Sequence, residues 1–597
     1  MLLRNRLSVA GLCLLAATAV ASGPAVAQHA LEQPALTGFT AKSGIARAPE
    51  QEAVVFEHAG LEFRIDPAQR RMDGDAALTF RALKPLSRLV VDLDRNYAVS
   101  AVEVDGQALP ASAWSNPEGR MTVTLPRPLA AGARTTLRIR YGGHPHVASR
   151  APWDGGFVWS QAPTGEPWVA SAIEGEGCDL LWPCIDHPQG EPLLVDEAIT
   201  VPAPLVAAGN GIALGMDEHD GWRTWRWRAK SPDTYAIAIN VGPYELLSAD
   251  YESRYGNTIP LRFWYLKGNQ AKARALFAQF PKMLEFFEAT IGPYPFGDEK
   301  MGVVETPYLG MEHQTVNAYG NDYKLTEYGY DWLLQHEFAH EWFGNQVTNA
   351  DWDHMWLHEG FGSYMQPLYL QWLRGDREYD AWLLFQRKFL MNRVPIVSGH
   401  SMVEDAVYND RTGPGNDIYY KGSLLLHTLR NLIGDKAFFA ATRELVYGTT
   451  DPRPGNFTPR YATTRDFIDA VNKATGRDYG WFFDVYVYSA ALPELVASRD
   501  ATGLSLQWKA PGGKAFPMPL QVRVDGRDIE LPMADGRGRV ELPPHALYTV
   551  DPHSRVLRAM PHIDAYQVDV AARLKAAAEA AQQADPGHEE RDRGARP

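Results

Sequence analysis

The sequence predicts a multidomain α+β protein: an N-terminal antiparallel β domain, a mainly helical middle domain and a small C-terminal β-sandwich. Three observations carry this reading. Residues 53–250 alternate apolar and polar in short runs, such as Leu61-Glu62-Phe63-Arg64-Ile65 and Leu137-Arg138-Ile139-Arg140-Tyr141, separated by Gly, Pro and Asp. A period of two marks strands with one buried face. From near residue 270 the period becomes helical, with Leu276, Phe277, Phe280, Leu284 and Phe287 on one stripe, and helical patterns run to about residue 490. A second β-type stretch at about 495–560 contains Leu504-Ser505-Leu506 and Leu520-Gln521-Val522-Arg523-Val524.

Taken in order, residues 1–27 have the layout of a signal peptide. Arg4 and Arg6 precede an apolar run from Leu7 to Val20, and Ala25-Val26-Ala27 offers a small-residue cleavage site. The expected destination is the periplasm or the exterior. Residues 28–52 show no period and read as a linker. The β domain then spans 53–250, the middle domain 251–493 and the sandwich 494–560. The tail, 561–597, reads as an Ala-rich helix followed by a charged, disordered end. After cleavage only Cys178 and Cys184 remain; a disulfide and two buried thiols both fit their spacing.

The chain has 597 residues, enough for several cores, and a formal net charge of -14. An acidic surface repels phosphate backbones, so nucleic acid is not an expected partner. No second apolar stretch is long enough to span a membrane.

The chemistry concentrates at His336-Glu337-Phe338-Ala339-His340. On a helix, side chains four apart project from one face, so both imidazoles reach one metal ion. Zinc favours imidazole nitrogen and carboxylate oxygen, and catalytic zinc keeps one position open. Glu337 sits beside the ligands as a base for water. A third ligand is available in Glu359, after eighteen intervening residues, within the apolar setting Trp356-Leu357-His358-Glu359-Gly360-Phe361. A turn-like break at Asn349-Ala350-Asp351 allows a second helix to carry Glu359 back against the first. His354 and His358 read as ordinary polar helix positions.

His-Glu-x-x-His, eighteen residues and Glu resembles the signature of the aminopeptidase N family, peptidase family M1, among the thermolysin-like gluzincins. Trp342-Phe343-Gly344-Asn345 and Glu359-Gly360-Phe361 match its context, and the resemblance covers roughly residues 53–490. It implies a thermolysin-like catalytic domain, one zinc per chain held by His336, His340 and Glu359, and peptide substrates with a free amino terminus; separately, a monomer is expected.

The family's Gly-Ala-Met-Glu-Asn element is similar to Leu309-Gly310-Met311-Glu312-His313, which makes Gly310, Met311 and Glu312 substrate-binding residues, with Glu312 gripping the α-amino group. Leu309 and His313 depart from the pattern. Trp182-Pro183-Cys184-x-Asp186 is similar to another family segment, and the position ten before its cysteine, which shares the amine, is Glu174. The family Arg five before that cysteine is Asp179 here. Ile418-Tyr419-Tyr420-Lys421-Gly422 resembles the Tyr-Glu-Lys-Gly segment, which assigns the oxyanion-stabilising role to Tyr419 and the Glu position to Tyr420. The resemblance implies Glu337 as the base that takes a proton from the attacking water and delivers one to the leaving amine. A thermolysin-like endopeptidase would share the zinc core but need neither Glu312 nor Glu174. A non-catalytic zinc-binding pseudoenzyme would be expected to lack Glu337 or Tyr419.

Overall fold

Alternation in the first part of the chain produces an eight-stranded sheet. A computed structural model describes residues 33–455 and 457–565; the expected signal peptide and nearly all of the expected helical tail lie outside the described residues. From one edge to the other the strands are Ile212–His219, Trp222–Lys230, Leu194–Pro202, Val54–Asp66, Arg71–Ala82, Arg134–Gly143, Ala98–Val104 and Gln107–Ala108. Strand Arg71–Ala82 buries every second residue, as its period requires. The sheet departs from the expected antiparallel arrangement at one place. Val54–Asp66 and Leu194–Pro202 run parallel, with Phe63 opposite Ile199, because the chain leaves the sheet after Gly143 and re-enters in the same direction. During that excursion Pro167–Ala172 pairs with Gly156–Gln161 and Asn240–Gly242 in a four-stranded sheet, and the residues after it bring Glu174 out of the sheet end. Cys178 and Cys184 form a disulfide just beyond, with Cα atoms 6.2 Å apart.

The expected linker needs correction. From Leu36 onward the described residues form one compact unit. Thr40, Ser43 and Gln51 are buried, and Gln51 Nε2 donates to Asp92 Oδ2 at 2.6 Å. Gly44, at φ +84°, lies against the Trp352 indole; a Cβ there would come within 2.0 Å of the ring. This segment is held by polar anchors and close backbone approach, so it leaves no hydrophobic period to read.

The middle domain is also less helical at its start than its pattern suggests. It opens with a five-stranded sheet ordered Tyr244–Glu252, Thr258–Leu266, Met301–Glu305, Asn317–Tyr319 and Gly310–Met311. Met301–Glu305 is buried throughout and so shows no alternation. Helices α1 (Gln270–Phe277) and α2 (Phe280–Thr290) carry the periodic stripe. The helices that follow are α3 (Trp332–His340), α4 (Trp356–Arg374), α5 (Asp376–Arg387), α6 (Glu404–Tyr408), α7 (Tyr420–Ile433), α8 (Asp435–Tyr447), α9 (Thr464–Thr475) and α10 (Gly480–Tyr486). Aromatic rings lock α3 and α4 in place: Trp342 stacks on Phe287 at 4.8 Å and Phe343 on Phe361 at 4.6 Å. The C-terminal strands form two three-stranded sheets, Glu494–Arg499, Gly503–Lys509 and Arg537–Glu541 in one, Arg527–Leu531, Leu520–Val524 and Tyr548–Val550 in the other. Among the described residues no helix is long and apolar enough to cross a membrane.

Helices α4 and α7 meet at two glycines. A Cβ on Gly422 would lie 2.8 Å from the Gly360 Cα, and one on Gly360 would lie 3.0 Å from the Gly422 Cα. The contact is backbone on backbone, so an added methyl group forces the helices apart. Gly422→Ala is expected to lower unfolding stability by about 1–3 kcal/mol, the usual cost of overpacking. Denaturant unfolding checks this; an unchanged midpoint would show that the crossing is not tight.

Candidate metal centre and active site

Local capping sets the geometry of α3. The Asp331 carboxylate accepts the Leu334 N–H at 3.1 Å, which starts the helix. At the other end the Asn345 N–H donates to the His340 carbonyl at 2.9 Å, across Gly344 at φ +151°. His336 and His340 therefore stand one turn apart on the same face. The His340 Nδ1 lies 2.9 Å from the Phe343 carbonyl oxygen. Donation there leaves the Nε2 lone pair directed at the second imidazole. Helix α4 begins after Asp351 accepts the Asp353 N–H, and its first turn presents Glu359 to the two rings.

The three ligand atoms form a near-equilateral triangle. His336 Nε2 and His340 Nε2 are 3.2 Å apart, and Glu359 Oε2 lies 3.6 Å and 3.5 Å from them. Tetrahedral zinc with bonds of about 2.0–2.1 Å separates its ligand atoms by roughly 3.3–3.4 Å, so the triangle has the right size. Glu359 Oε2 is buried with no hydrogen-bond partner, and a cation would satisfy it. Gly362 makes room for the rings: a Cβ there would sit 3.1 Å from His340 Cε1. Burial raises the Glu359 carboxyl, but His340 and His336 outweigh it and hold it down to about 2. Burial lowers His340, yet Glu312 and Glu359 lift it to about 10, whereas burial and His340 press His336 down to about 4. The carboxylates around the imidazoles thus favour positive charge at the cluster.

Glu337 is buried beside these ligands, its carboxyl held well above the usual range by burial and then by Glu312. Its Oε1 faces the backbone of Gly310, where a Cβ would approach within 2.5 Å. Gly310 and Met311 form the edge strand of the five-stranded sheet, opposite Tyr319 and Ala318, and Glu312 follows directly after it. Ligand atoms of Glu312, Glu337 and His340 all lie within 4.8 Å of one another. Glu312 Oε1 accepts the Tyr235 hydroxyl at 2.6 Å. Glu174 is buried on the same side, its carboxyl pushed up by burial, then by Glu312, Glu404 and Glu359. Among the described residues, none of these four carboxylates pairs with a lysine or arginine. Tyr419, directly before α7, lies beside Glu359 and is stacked against the His336 ring at 6.5 Å. Tyr420 instead packs on Phe389 at 4.8 Å.

The structure brings His336, His340, Glu359, Glu337 and Glu312 together, with Glu174 linked to Glu359 through Tyr408, Tyr419 beside His336, Gly310 against Glu337, and Met311 buried on the same strand as Gly310. His313 is the exception among the neighbouring motif positions. It is wholly buried, and its ring nitrogens meet no partner; burial pushes it down to about 3, so it is a neutral core residue. His358 is likewise buried rather than an ordinary polar position; its Nε2 accepts the Asn349 N–H at 3.0 Å. Sequence reasoning missed three residues. Tyr235 holds Glu312, and Asn345 Nδ2 donates to the Glu312 carbonyl at 3.0 Å. Tyr408 touches both Glu359 and Glu174. Asn345 lies inside a quoted motif and was findable; the tyrosines sit in unpatterned segments and were not.

Known proteins resemble this chain in sequence and fold. Residues 277–486 match the model of the peptidase family M1 domain. Leukotriene A-4 hydrolase of Xenopus laevis is 25% identical over 64% of this chain and 63% of its own. Leucine aminopeptidase 2 of Saccharomyces cerevisiae is 28% identical over 47% of this chain and 41% of its own. The chain thus spans less than two thirds of the length of these curated relatives. Among solved structures, a mutant M1 zinc metallopeptidase from Deinococcus radiodurans bound to a Tyr-Ser-Ala substrate is similar, with a TM-score of 0.64 and 27% identity, covering 76% of this chain and 99% of that one. The domain at residues 277–486, which carries the ligand triangle and Glu337, is thus similar to the peptidase family M1 domain.

Proposed function

We propose that this protein is a zinc-dependent aminopeptidase that hydrolyses the first peptide bond of peptides with a free amino terminus. One observation carries the reading: Glu312 and Glu174 are buried beside the ligand triangle with no cationic partner. A metallopeptidase that cuts internal bonds has no use for such charge, whereas a substrate ammonium complements it.

The residues divide the chemistry as follows. His336, His340 and Glu359 would hold zinc, which when bound would supply a Lewis acid for the scissile carbonyl and for water. Glu312 and Glu174 hold the ammonium group, so that only the first peptide bond reaches the metal. Glu337 accepts a proton from the attacking water; its raised affinity for protons suits it to pass that proton to the leaving amine. The Tyr419 hydroxyl donates to the oxygen on which negative charge develops. Gly310, lacking a side chain, leaves space for the Glu337 carboxylate, and Met311 lies buried on the same strand.

The same reading places the protein outside the cytoplasm as a monomer. The charged, apolar and small-residue sections of residues 1–27 support export, and the Cys178–Cys184 disulfide suits an oxidising compartment.

Two measurements test the activity. A peptide with a free amino terminus is expected to be cleaved at least about 100-fold more efficiently than its acetylated twin, because the blocked form leaves buried carboxylates unpaired. Equal cleavage of both would exclude exopeptidase specificity. Glu337→Gln is expected to lower kcat by about 10²–10⁴-fold or more while zinc content stays at the parent level. Parent-like turnover in that variant would remove Glu337 from the mechanism.

A further inference from the structure

One polar side chain touches both halves of this pocket yet has no part in the steps above. Tyr408 ends α6, and its hydroxyl lies 2.9 Å from Glu359 Oε1 and 3.2 Å from Glu174 Oε1. Oε1 is the Glu359 oxygen turned away from the imidazoles; Oε2 is the one that faces them. A donor on Oε1 fixes the carboxylate plane and leaves Oε2 free for a cation. It also reserves one oxygen, which favours coordination through the other alone. Glu174 arrives from the β domain and Glu359 from α4, so the hydroxyl spans two separately built elements.

The position of α6 is itself held from an unexpected direction. The Glu404 N–H donates to the Ser43 carbonyl at 3.1 Å, and the Ser43 N–H donates to the Gly175 carbonyl at 3.2 Å. Ser43 Oγ adds a bond to Asp186 Oδ1 at 3.0 Å. The N-terminal segment therefore ties the first residue of α6 to the residue next to Glu174. Tyr408, at the other end of that short helix, closes the circuit onto Glu174 and Glu359.

We propose that Tyr408 is a positioning residue that couples the metal ligand Glu359 to the amine anchor Glu174 and so sets their separation. The metal half of this proposal stands on the ligand triangle; the amine half rests on the aminopeptidase reading. The hydroxyl has one proton and serves one carboxylate at a time as donor. Arrival of an ammonium at Glu174 leaves it to Glu359, where it steadies the ligand while substrate is bound.

Tyr408→Phe removes one oxygen and keeps the ring that packs 6.2 Å from Tyr419. Metal-free protein titrated with zinc against a chromogenic chelator is expected to bind about 10-fold or more weakly, as for other partners of metal ligands. The zinc-loaded variant is expected to show a KM for a free-amine dipeptide raised several-fold, by more than kcat falls. Its metal-free melting temperature is expected to match the parent. Parent-like zinc affinity, a parent-like KM, or a fall in metal-free stability that accounts for both changes would overturn the proposal. If the parent itself cleaved no free-amine peptide, the aminopeptidase reading would fall and take the amine half with it. The chelator competition would still decide the metal half.

Discussion

Four glutamates share one buried pocket without a lysine or arginine among them, and this electrostatic constraint governs the rest of the structure. Two like charges 4 Å apart repel by about 4 kcal/mol at an effective dielectric constant near 20. Such a set is tolerable only if protons or bound cations neutralise it. The structure separates the two solutions by position. Glu359 is held ionised by the imidazoles and faces the ligand triangle, whereas Glu337 and Glu174 are pushed toward the protonated form. A divalent ion on one side and an ammonium on the other would balance the pocket, and each would arrive at a group shaped for it.

The scaffold answers this demand mainly by removing side chains where backbone must approach. Gly360 and Gly422 let α4 and α7 touch, which brings Glu359 and Tyr419 together. Gly362 clears space for the imidazoles, and Gly310 clears it for Glu337. Around these points large aromatic residues fill the core, including Trp342, Trp356, Phe343 and Phe361. The pocket is assembled from a loop leaving the β domain, an edge strand of the five-stranded sheet, the paired helices α3 and α4, the end of α6 and the residue before α7. The segment after Leu36 supports α6 from behind, through Ser43.

Much of this was legible in the residues. His336, His340 and Glu359 could be read because helical spacing alone places the two imidazoles, and a turn before α4 returns the carboxylate. The β domain was legible because strands such as Arg71–Ala82 have one wet face. What escaped has physical causes. Met301–Glu305 is buried on both faces and shows no period. The packed segment from Leu36 relies on hydrogen bonds and a glycine contact, neither of which leaves a pattern. The parallel pairing of Val54–Asp66 with Leu194–Pro202 depends on a long excursion whose return direction no local signal records. Tyr235 and Tyr408 act through single hydroxyls supplied by distant segments, so only the fold brings them to Glu312 and Glu359.

Two imidazoles and one carboxylate, those of His336, His340 and Glu359, converge where a single zinc ion would bind. X-ray absorption at the zinc edge of the purified protein tests this most directly. The expected result is one zinc per chain with a first shell of two imidazole nitrogens and oxygen at about 2.0–2.2 Å. Protein free of zinc, or zinc whose shell contains sulfur or lacks imidazole, would contradict it.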